Sequence, residues 1–427
     1  LIEGPVTPRA LVIGGGLSGM RAAISIAEHG FEVDLVERTS ELGGNARNIY
    51  YTLEGLDVQK LVREIVESVR KNKLIHIHTN AQLTGVSGHA GSFETTIKTV
   101  ASNQSPATRA QIELRHGAII IATGAQEFKT DQYLYGKDPR IITQLELEKR
   151  LSDQRSPLTD YQTVVMIQCV GSREEARPYC SRVCCSQAIK NALKIKELNP
   201  ATDIFILYRD IMAYGFKEEY YTKTREAGII FCRYDLDQEP EVVVKEGKIE
   251  VSVIDKIINE KLMVYPDLLV LSVGIVPTEN ITLANILRVP LDKDGFFEEA
   301  ECKFRPVEFG RDGLFLCGLA HSPRSIDESM LQADAAAGKA IMLLSKPRIT
   351  SRRCIAEVNE RWCAGCELCV GACPYDARRM DEEKRVVVVD EALCQGCGSC
   401  AMVCPSGATK LKGFRDKQIF SMVDAAI

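Results

Sequence analysis

The stretch Arg9-Ala10-Leu11-Val12-Ile13-Gly14-Gly15-Gly16-Leu17-Ser18-Gly19-Met20, running on to Phe31-Glu32-Val33-Asp34-Leu35-Val36-Glu37, decides the fold. Ala10 to Ile13 is a short apolar run that reads as a buried strand. From about Gly19 to Glu28 the apolar residues Met20, Ala23, Ile24 and Ala27 recur at helical spacing, and Gly30 sits where a helix C-terminal glycine belongs. Phe31 to Glu37 reads as a second buried strand. Between strand and helix, Gly14, Gly16 and Gly19 form G-x-G-x-x-G. Alone this pattern is weak, because glycine turns are common and a purely structural turn would satisfy it. Its context makes it a dinucleotide fingerprint: Gly14 permits the tight turn, Gly16 lets backbone approach a pyrophosphate, and Gly19 lets the helix lie close on the strand. The helix N-terminus then offers unpaired N–H groups to phosphate. Glu37, 18 residues past Gly19, is placed to accept from a ribose diol.

Further strand-like runs follow at Ala118–Ala122, Thr163–Ile167, Asp203–Tyr208, Val242–Val244, Ile249–Val253, Leu268–Val273 and Gly313–Cys317. Helical stretches follow at Gln187–Leu198 and from about Glu328 to Leu344. Strands alternating with helices predict an α/β fold with parallel sheets. A linker from Ser345-Lys346-Pro347 to Arg353 leads into a compact Cys-rich tail. The expected division is a dinucleotide-binding domain over 1–125 and 290–345, a second Rossmann-like domain over 126–289, and a tail domain over 346–427.

With 45% hydrophobic and 26% charged residues, the 427-residue chain is neither disordered nor low in complexity. A formal charge of −5 and the lack of a basic block argue against nucleic acid. No apolar run is long enough to span a bilayer, and no signal peptide is evident. Leu1 in place of Met suggests a fragment or processed product. Sixteen Cys is the unusual count. Eight lie between Cys363 and Cys404, four between Cys169 and Cys185, and Cys232, Cys302, Cys317 and Cys354 stand alone. In a long chain without a targeting segment, clustered Cys read as metal ligands or redox centres in a reducing, cytoplasmic setting.

The tail carries Cys363-x2-Cys366-x2-Cys369-x3-Cys373-Pro374 and, 31 residues on, Cys394-x2-Cys397-x2-Cys400-x3-Cys404-Pro405. This is the bacterial two-cluster ferredoxin pattern, in which the fourth Cys of each run ligates the other [4Fe-4S] cluster. Cluster one is expected on Cys363, Cys366, Cys369 and Cys404, and cluster two on Cys394, Cys397, Cys400 and Cys373. Zinc would call for paired C-x2-C motifs or added His, and no His lies in or between the repeats. Two adjacent clusters make a wire, expected to present one side to the dinucleotide cofactor and the other to a partner.

Three signals in order resemble the two-dinucleotide-domain flavoproteins: Leu42-Gly43-Gly44 after the ribose acid, Ala122-Thr123-Gly124, and Gly313-Leu314-Phe315-Leu316-Cys317-Gly318. The resemblance implies FAD rather than NAD. It places Gly14, Gly15, Gly16, Leu17, Ser18, Gly19, Glu37, Arg38, Gly43, Gly44, Asn45, Ala122, Thr123, Gly124, Gly318, Gln332 and Ala333 at the flavin. One departure stands out: those proteins carry Asp after the glycine of the third signal, and this chain has Leu319.

Gln168-Cys169-Val170-Gly171-Ser172-Arg173 and Tyr179-Cys180-Ser181-Arg182-Val183-Cys184-Cys185 occupy the place where a pyridine-nucleotide loop would follow the strand at Thr163–Ile167. Spacing alone leaves three readings for Cys169, Cys180, Cys184 and Cys185: a [4Fe-4S] cluster, a redox disulfide, or buried apolar thiols. These two segments resemble the HdrA family, the flavin-bearing subunits of heterodisulfide reductase. So do Tyr214-Gly215 through Tyr220-Tyr221, Ser272-Val273-Gly274-Ile275-Val276-Pro277, and Cys317-Gly318 through Gln332-Ala333. The resemblance spans the chain. It implies a cytoplasmic subunit with FAD and iron–sulfur clusters, central to an electron-transfer complex, some members bifurcating electrons, with a third [4Fe-4S] cluster on the middle cysteines. It implies partners such as hydrogenase, formate dehydrogenase, B- or C-like chains of heterodisulfide reductase and ferredoxin, with membrane association only through partners, and self-association. The chain lacks a Cys-rich N-terminal domain and a ferredoxin insert after Gly43-Gly44. It therefore resembles shortened members, or half of a larger subunit, which weakens the case for bifurcation.

Other tempting residues read more plainly. His76 and His78 alternate on a strand, Lys217, Glu218 and Glu219 read as a solvated face, and Trp362 is expected to pack against a cluster or the core. His321 is a lesser candidate for the flavin environment. No Ser/His/Asp constellation supports hydrolysis. The alternative function is an NAD(P)H-dependent FAD/ferredoxin oxidoreductase, which needs a nucleotide loop after Ile167.

Overall fold

The computed structural model of the chain describes residues 2–99, 111–153, 161–351, 355–391 and 393–426. Cys354 and the end of the expected linker lie outside the described residues. The opening βαβ unit forms as its pattern demands: strand Arg9–Ile13, helix Leu17–Glu28, strand Glu32–Val36. Together with Ile75–His78, Ala118–Ile121 and Leu314–Leu316 these strands make a five-stranded parallel sheet. Its order across is 314–316, 118–121, 9–13, 32–36, 75–78. Ala118 to Ile121 are wholly buried, as a central parallel strand covered on both faces requires. The helix Ile326–Leu344 buries Ala333, Ala336, Ala337 and Ala340 in the core it shares with the sheet and the helix Leu17–Glu28, and these small side chains let it approach closely. It runs antiparallel to the strands. Its start is near Gly318, and Leu344 at its end lies against Gly117, just before the strand 118–121.

A second five-stranded parallel sheet is inserted in the first. Its order is Ile141–Thr143, Leu268–Val273, Thr163–Val170, Asp203–Tyr208, Ile230–Arg233. The chain leaves and re-enters the first unit through Ala125–Glu127 and Ile275–Pro277, which pair antiparallel. Two three-stranded antiparallel sheets were not evident from helix and strand alternation. One is Ala81–His89, Ser92–Thr99 and Gln111–His116, and the other is Glu241–Lys245, Lys248–Asp255 and Glu260–Val264. The helix expected from Gln187 starts at Cys184, so Cys184 and Cys185 open its first turn.

The first antiparallel sheet is pinned to the parallel one by Asp34, which is fully buried. It accepts from Arg9 Nε at 2.6 Å and Nη2 at 2.9 Å, and lies 2.8 Å from His78 Nε2 and 2.9 Å from His116 Nε2. Thr95 Oγ1 is 3.1 Å from His116 Nδ1. Thr, His and Asp thus stand in a row after all, but all three are buried beyond the reach of any substrate, and the row is a structural hub. Burial alone would raise the Asp34 pKa. The hydrogen bonds from His116, His78 and Arg9 outweigh it and hold the carboxyl well below the usual carboxylate range.

The tail folds as two short strand pairs, Ala356–Val358 with Thr409–Leu411 and Arg378–Asp381 with Val386–Val389. The one-turn helices Leu368–Gly371 and Ser399–Met402 carry the third Cys of each repeat. The tail is tethered by Arg348–Ser351, which pairs with Ile2–Pro5, and by an ion pair of Asp376 with Arg288.

Asp34→Asn leaves one buried acceptor short of its charge. It is expected to lower stability by about 3 kcal/mol, read as a fall in the first thermal transition of the holoprotein. Because the folded pKa of Asp34 is depressed, its contribution is present above the ordinary carboxylate range and is lost as pH falls toward the folded value. The stability gap between wild type and variant should therefore narrow in acid.

Candidate functional site

Backbone crowding builds the glycine loop. A Cβ on Gly19 would lie 1.8 Å from the Gly14 oxygen, one on Gly14 2.2 Å from the Ala122 oxygen, and one on Gly15 2.5 Å from Leu42 Cδ2. Gly14 is also at φ +115°. By contrast nothing lies within 4 Å of where a Cβ on Gly16 or Gly124 would stand. The loop is closed on its protein side and open on the other, which is the shape a pyrophosphate needs. Gly16 caps the helix Leu17–Glu28 with no side-chain acceptor, so the first-turn N–H groups face outward.

The second glycine signal folds back on the first. The Gly43 N–H donates to the Gly15 oxygen at 2.8 Å, and Gly44, at φ +52°, would bring a Cβ within 3.0 Å of Gly16 Cα. Glu37 accepts from the Gly15 N–H at 2.6 Å and from the Thr39 N–H and hydroxyl at 2.8 Å each, which fixes its carboxylate at the loop. Arg38 and Asn45 are exposed, and Asn45 Nδ2 donates to the Ala125 oxygen at 2.7 Å. Leu17 is buried against the core. The Thr123 hydroxyl is buried without a partner, an orphan that a bound group would satisfy. Gly318, at φ +71°, would set a Cβ 2.3 Å from Ser18 Oγ, so the third signal also meets the loop. Its N–H donates to Gln332 Oε1 at 2.8 Å, whereas Ala333 is wholly buried in the sheet–helix core. The structure therefore brings all three signals to the carboxyl ends of the parallel strands, and the donor set, open cradle and orphan hydroxyl fit FAD.

His321, a lesser candidate, is held by protein partners. Its Nε2 lies 2.8 Å from Glu299, and its Nδ1 accepts from Gln332 at 2.7 Å and Arg324 at 3.0 Å. Burial and the nearby Arg324 push its pKa down, so the ring is neutral. Glu219 pairs with Lys223 on an exposed helix face, and His76 and His78 sit on the edge strand Ile75–His78. Trp362 departs from expectation. It is 57% exposed and packs neither on the core nor over a centre.

The tail cysteines separate into two groups. Cys363, Cys366, Cys369 and Cys404 line one pocket. Cys373, Cys394, Cys397 and Cys400 line another. Among the described residues no three ligating side chains converge as they do about a single ion. A four-iron cluster takes one thiolate at each iron, so its ligands ring a space instead. Backbone N–H groups point at the sulfurs: Val387 to Cys363 at 3.5 Å and Ala356 to Cys394 at 3.4 Å. Burial raises the Cys404 pKa, but the Ser406 hydroxyl and the N–H groups of Thr409, Ala408 and Ser406 outweigh it and bring the thiol down to about 7.

The middle cysteines gather where the second sheet meets the first unit. Cys169, at φ +63°, sits in the register shift between Ile167 and Val170; Cys184 Sγ lies 3.6 Å from the Val273 oxygen and Cys185 Sγ 3.7 Å from the Asp210 oxygen. The Arg182 N–H points at Cys180 Sγ at 3.3 Å and the Met212 N–H at Cys185 Sγ at 3.4 Å. Burial pushes the Cys185 thiol up to about 12 and Cys184 well above its usual value. Three arginines that no sequence pattern flagged attend this loop. Arg173 and Arg209 pull against the burial of Cys169, and Arg182 joins the loop to Glu328 and the Pro323 oxygen beside the third flavin signal. Gln168 Nε2, Arg173 Nη1 and Arg209 Nε are buried donors without partners.

The tail is not beside the glycine loop. Its ties to the first unit, through Arg288 and the Ile2–Pro5 ribbon, lie at the amino ends of the strands. The helix Ile326–Leu344 runs between the two ends, bonded to Gly318 through Gln332 and reaching Gly117 with Leu344. The expected flavin-facing side of the tail wire is not among these ties.

Two dinucleotide-type sheets, an FAD cradle and paired cluster cavities define an iron–sulfur flavoprotein oxidoreductase. Residues 10–154 match the FAD dependent oxidoreductase family and 362–408 the 4Fe-4S dicluster domain, so the chain carries FAD and two [4Fe-4S] clusters. In fold it is similar to thioredoxin reductase of T. acidophilum (TM-score 0.53, 15% identity, 79% of this chain and 98% of that one). It is similar too to that of Lactococcus lactis (TM-score 0.54, 18% identity, 79% and 99%). Among curated relatives it is 31% identical to the A-type iron-sulfur subunit 1 of CoB--CoM heterodisulfide reductase from Methanopyrus kandleri, over all of this chain and 77% of the relative. It is 30% identical to the A-type iron-sulfur subunit of the same enzyme from Methanocaldococcus jannaschii, over 99% and 78%. The chain belongs to the HdrA family of heterodisulfide reductase subunits, and it is an electron-transfer subunit.

Gly16→Ala should leave the fold intact, because the added carbon meets no protein atom, yet fill the cradle. FAD retained per folded chain, read by absorbance and circular dichroism together, is expected to reflect roughly tenfold weaker binding or worse. Gly19→Ala, in contrast, should lose both flavin and folded signal.

Proposed function

We propose that this chain is the flavin-bearing hub of a heterodisulfide-reductase-like assembly, taking electrons singly through clusters and exchanging them in pairs at FAD. The observation that carries this reading is that the glycine loop lies at the carboxyl ends of the first sheet and the tail's ties at the amino ends. In this reading the tail clusters work with a cofactor brought by another chain, a partner subunit or a second copy, and the flavin works with a group on its own side of the sheet.

That group is a third [4Fe-4S] cluster on Cys169, Cys180, Cys184 and Cys185. Three orphaned donors on Gln168, Arg173 and Arg209 support it, since an anionic, sulfide-rich group would accept from all of them. So does the place of the loop, which meets the flavin side through Arg182 and Glu328. The tail ligand sets follow the two cavities, with Cys404 completing the first centre and Cys373 the second. The flavin is held by the glycine loop, Glu37, Gly43, Gly44, Thr123, Gly124 and Gly318, in a unit of residues 1–125 and 290–345. Residues 126–289 form the second unit and 346–427 the tail. When bound, FAD supplies the exchange between paired and single electrons. The chain supplies position: Gly16 and Gly124 leave room, Glu37 orients the ribose, and the Gln332–Gly318 bond sets the backbone beside the ring.

Partners of the kind named in relatives, including ferredoxin and a hydrogen- or formate-oxidising module, suit the exposed cluster surfaces. Bifurcation needs two acceptors within reach of one flavin. The middle cluster is one and a partner subunit must bring the other, so it is a property of the assembly. The NAD(P)H reading lacks its site: the strand Thr163–Val170 runs into a cysteine loop in place of glycines.

Anaerobically purified chain is expected to hold about twelve iron and twelve sulfide, falling to about eight in a Cys169→Ser/Cys184→Ser variant. Eight in the wild type would remove the third cluster. Reduced ferredoxin should bleach the flavin band, and NADH or NADPH should not. Bleaching by a nicotinamide alone would favour the alternative.

A further inference from the structure

The tail is a duplication with a period of 31 residues, and a duplication should give both centres the same surroundings. At one pair of equivalent positions it does not. Residue 378, five after Cys373, is Arg, and residue 409, five after Cys404, is Thr. Arg378 is 4% exposed. Its Nη2 donates to Cys400 Sγ at 2.9 Å and its Nη1 to Thr409 Oγ1 at 3.4 Å. It lines the cavity of Cys373, Cys394, Cys397 and Cys400, while Thr409 lines the other. The guanidinium thus stands in the wall between the two centres, bonded to a ligand of one.

A guanidinium stays charged at any working pH. Buried without a counter-charge, it would cost several kcal/mol. Arg378 makes no ion pair with a carboxylate among the described residues, and the anionic group it touches is the sulfur of Cys400. Its counter-ion is therefore the cluster. Among the described residues the other tail sulfurs have only neutral hydrogen-bond partners: the N–H groups of Val387 on Cys363 and Ala356 on Cys394, and the hydroxyls of Ser406 at Cys404 and Ser399 at Cys397. Its field also reaches Cys369 of the neighbouring centre, though without a hydrogen bond.

We propose that Arg378 is a tuning residue that makes the centre held by Cys373, Cys394, Cys397 and Cys400 the more easily reduced of the tail pair. Each centre gains one electron and no proton on reduction, so its negative charge rises by one. A charge-assisted hydrogen bond to a ligand sulfur strengthens as that charge grows, which favours the reduced form and raises the potential. The duplication becomes a downhill step: an electron arriving at the first centre settles on the second. The proposal rests on Cys400 being a cluster ligand.

The test uses the anaerobic holoprotein. Redox titration followed by electron paramagnetic resonance should resolve two tail centres, and a Cys397→Ser variant identifies the signal of the second. In Arg378→Gln that signal is expected to shift to lower potential by more than the first centre's signal, with Arg378→Lys falling between. In wild type labelled with ¹⁵N-arginine, pulsed measurements should find guanidinium nitrogen coupled to the second centre's signal and not to the first. This readout stands even if Arg378→Gln loses iron. Unmoved or equally moved potentials in an iron-replete variant would overturn the proposal, as would ¹⁵N coupling to neither or to both signals. A wild type with only one tail centre would overturn the ligand assignment itself, a separate and visible failure.

Discussion

Backbone meeting backbone without side chains between them is the constraint on which the rest of this structure depends. Where Gly14 meets the Ala122 backbone and Gly19 meets the Gly14 backbone, the separations leave no room for a Cβ on either glycine. That contact lays the first helix on the first strand and aims its free N–H groups outward. It also brings Gly43-Gly44 and Gly318 onto the same loop from distant parts of the chain. The shape of the cradle stems from this close approach, because a single methyl group at Gly19 would lift the helix away.

Around the sulfur centres the governing physics is charge in a dry place. Thiols at Cys184 and Cys185 resist ionisation when buried alone, and arginines buried alone are costly too. In the tail, where Arg378 donates to Cys400, an iron cluster makes both tolerable. At the middle loop Arg173 pairs with Asp210 and Arg209 donates to the Cys169 and Ser172 oxygens. The second Rossmann-like unit keeps its sheet and carries a cysteine loop where a glycine turn would stand.

The flavin cradle lies at the carboxyl ends of the strands and the tail is tied to their amino ends, with the helix Ile326–Leu344 between. A chain built this way has its cradle and its cluster tail at opposite ends of one sheet. No helix among the described residues is long and apolar enough to cross a membrane.

Much was legible in the amino-acid order alone. Short-range signals carried the glycine loop, the parallel α/β pattern and the tandem cysteine repeat, because each depends on residues within one turn, one strand or one loop. The crossed assignment of Cys373 and Cys404 was legible only because the repeat belongs to a known pattern. Tertiary structure alone decided where Asp34 finds Arg9, His78 and His116, and that Trp362 faces solvent. It alone decided that Arg378 lies against Cys400, and that the tail is tied to the end of the first sheet opposite the glycine loop. These are contacts between residues tens or hundreds of positions apart. Local periodicity encodes which face of an element is buried; it holds no record of which distant face will cover it, and charges buried at such junctions become visible only once the chain has closed on itself.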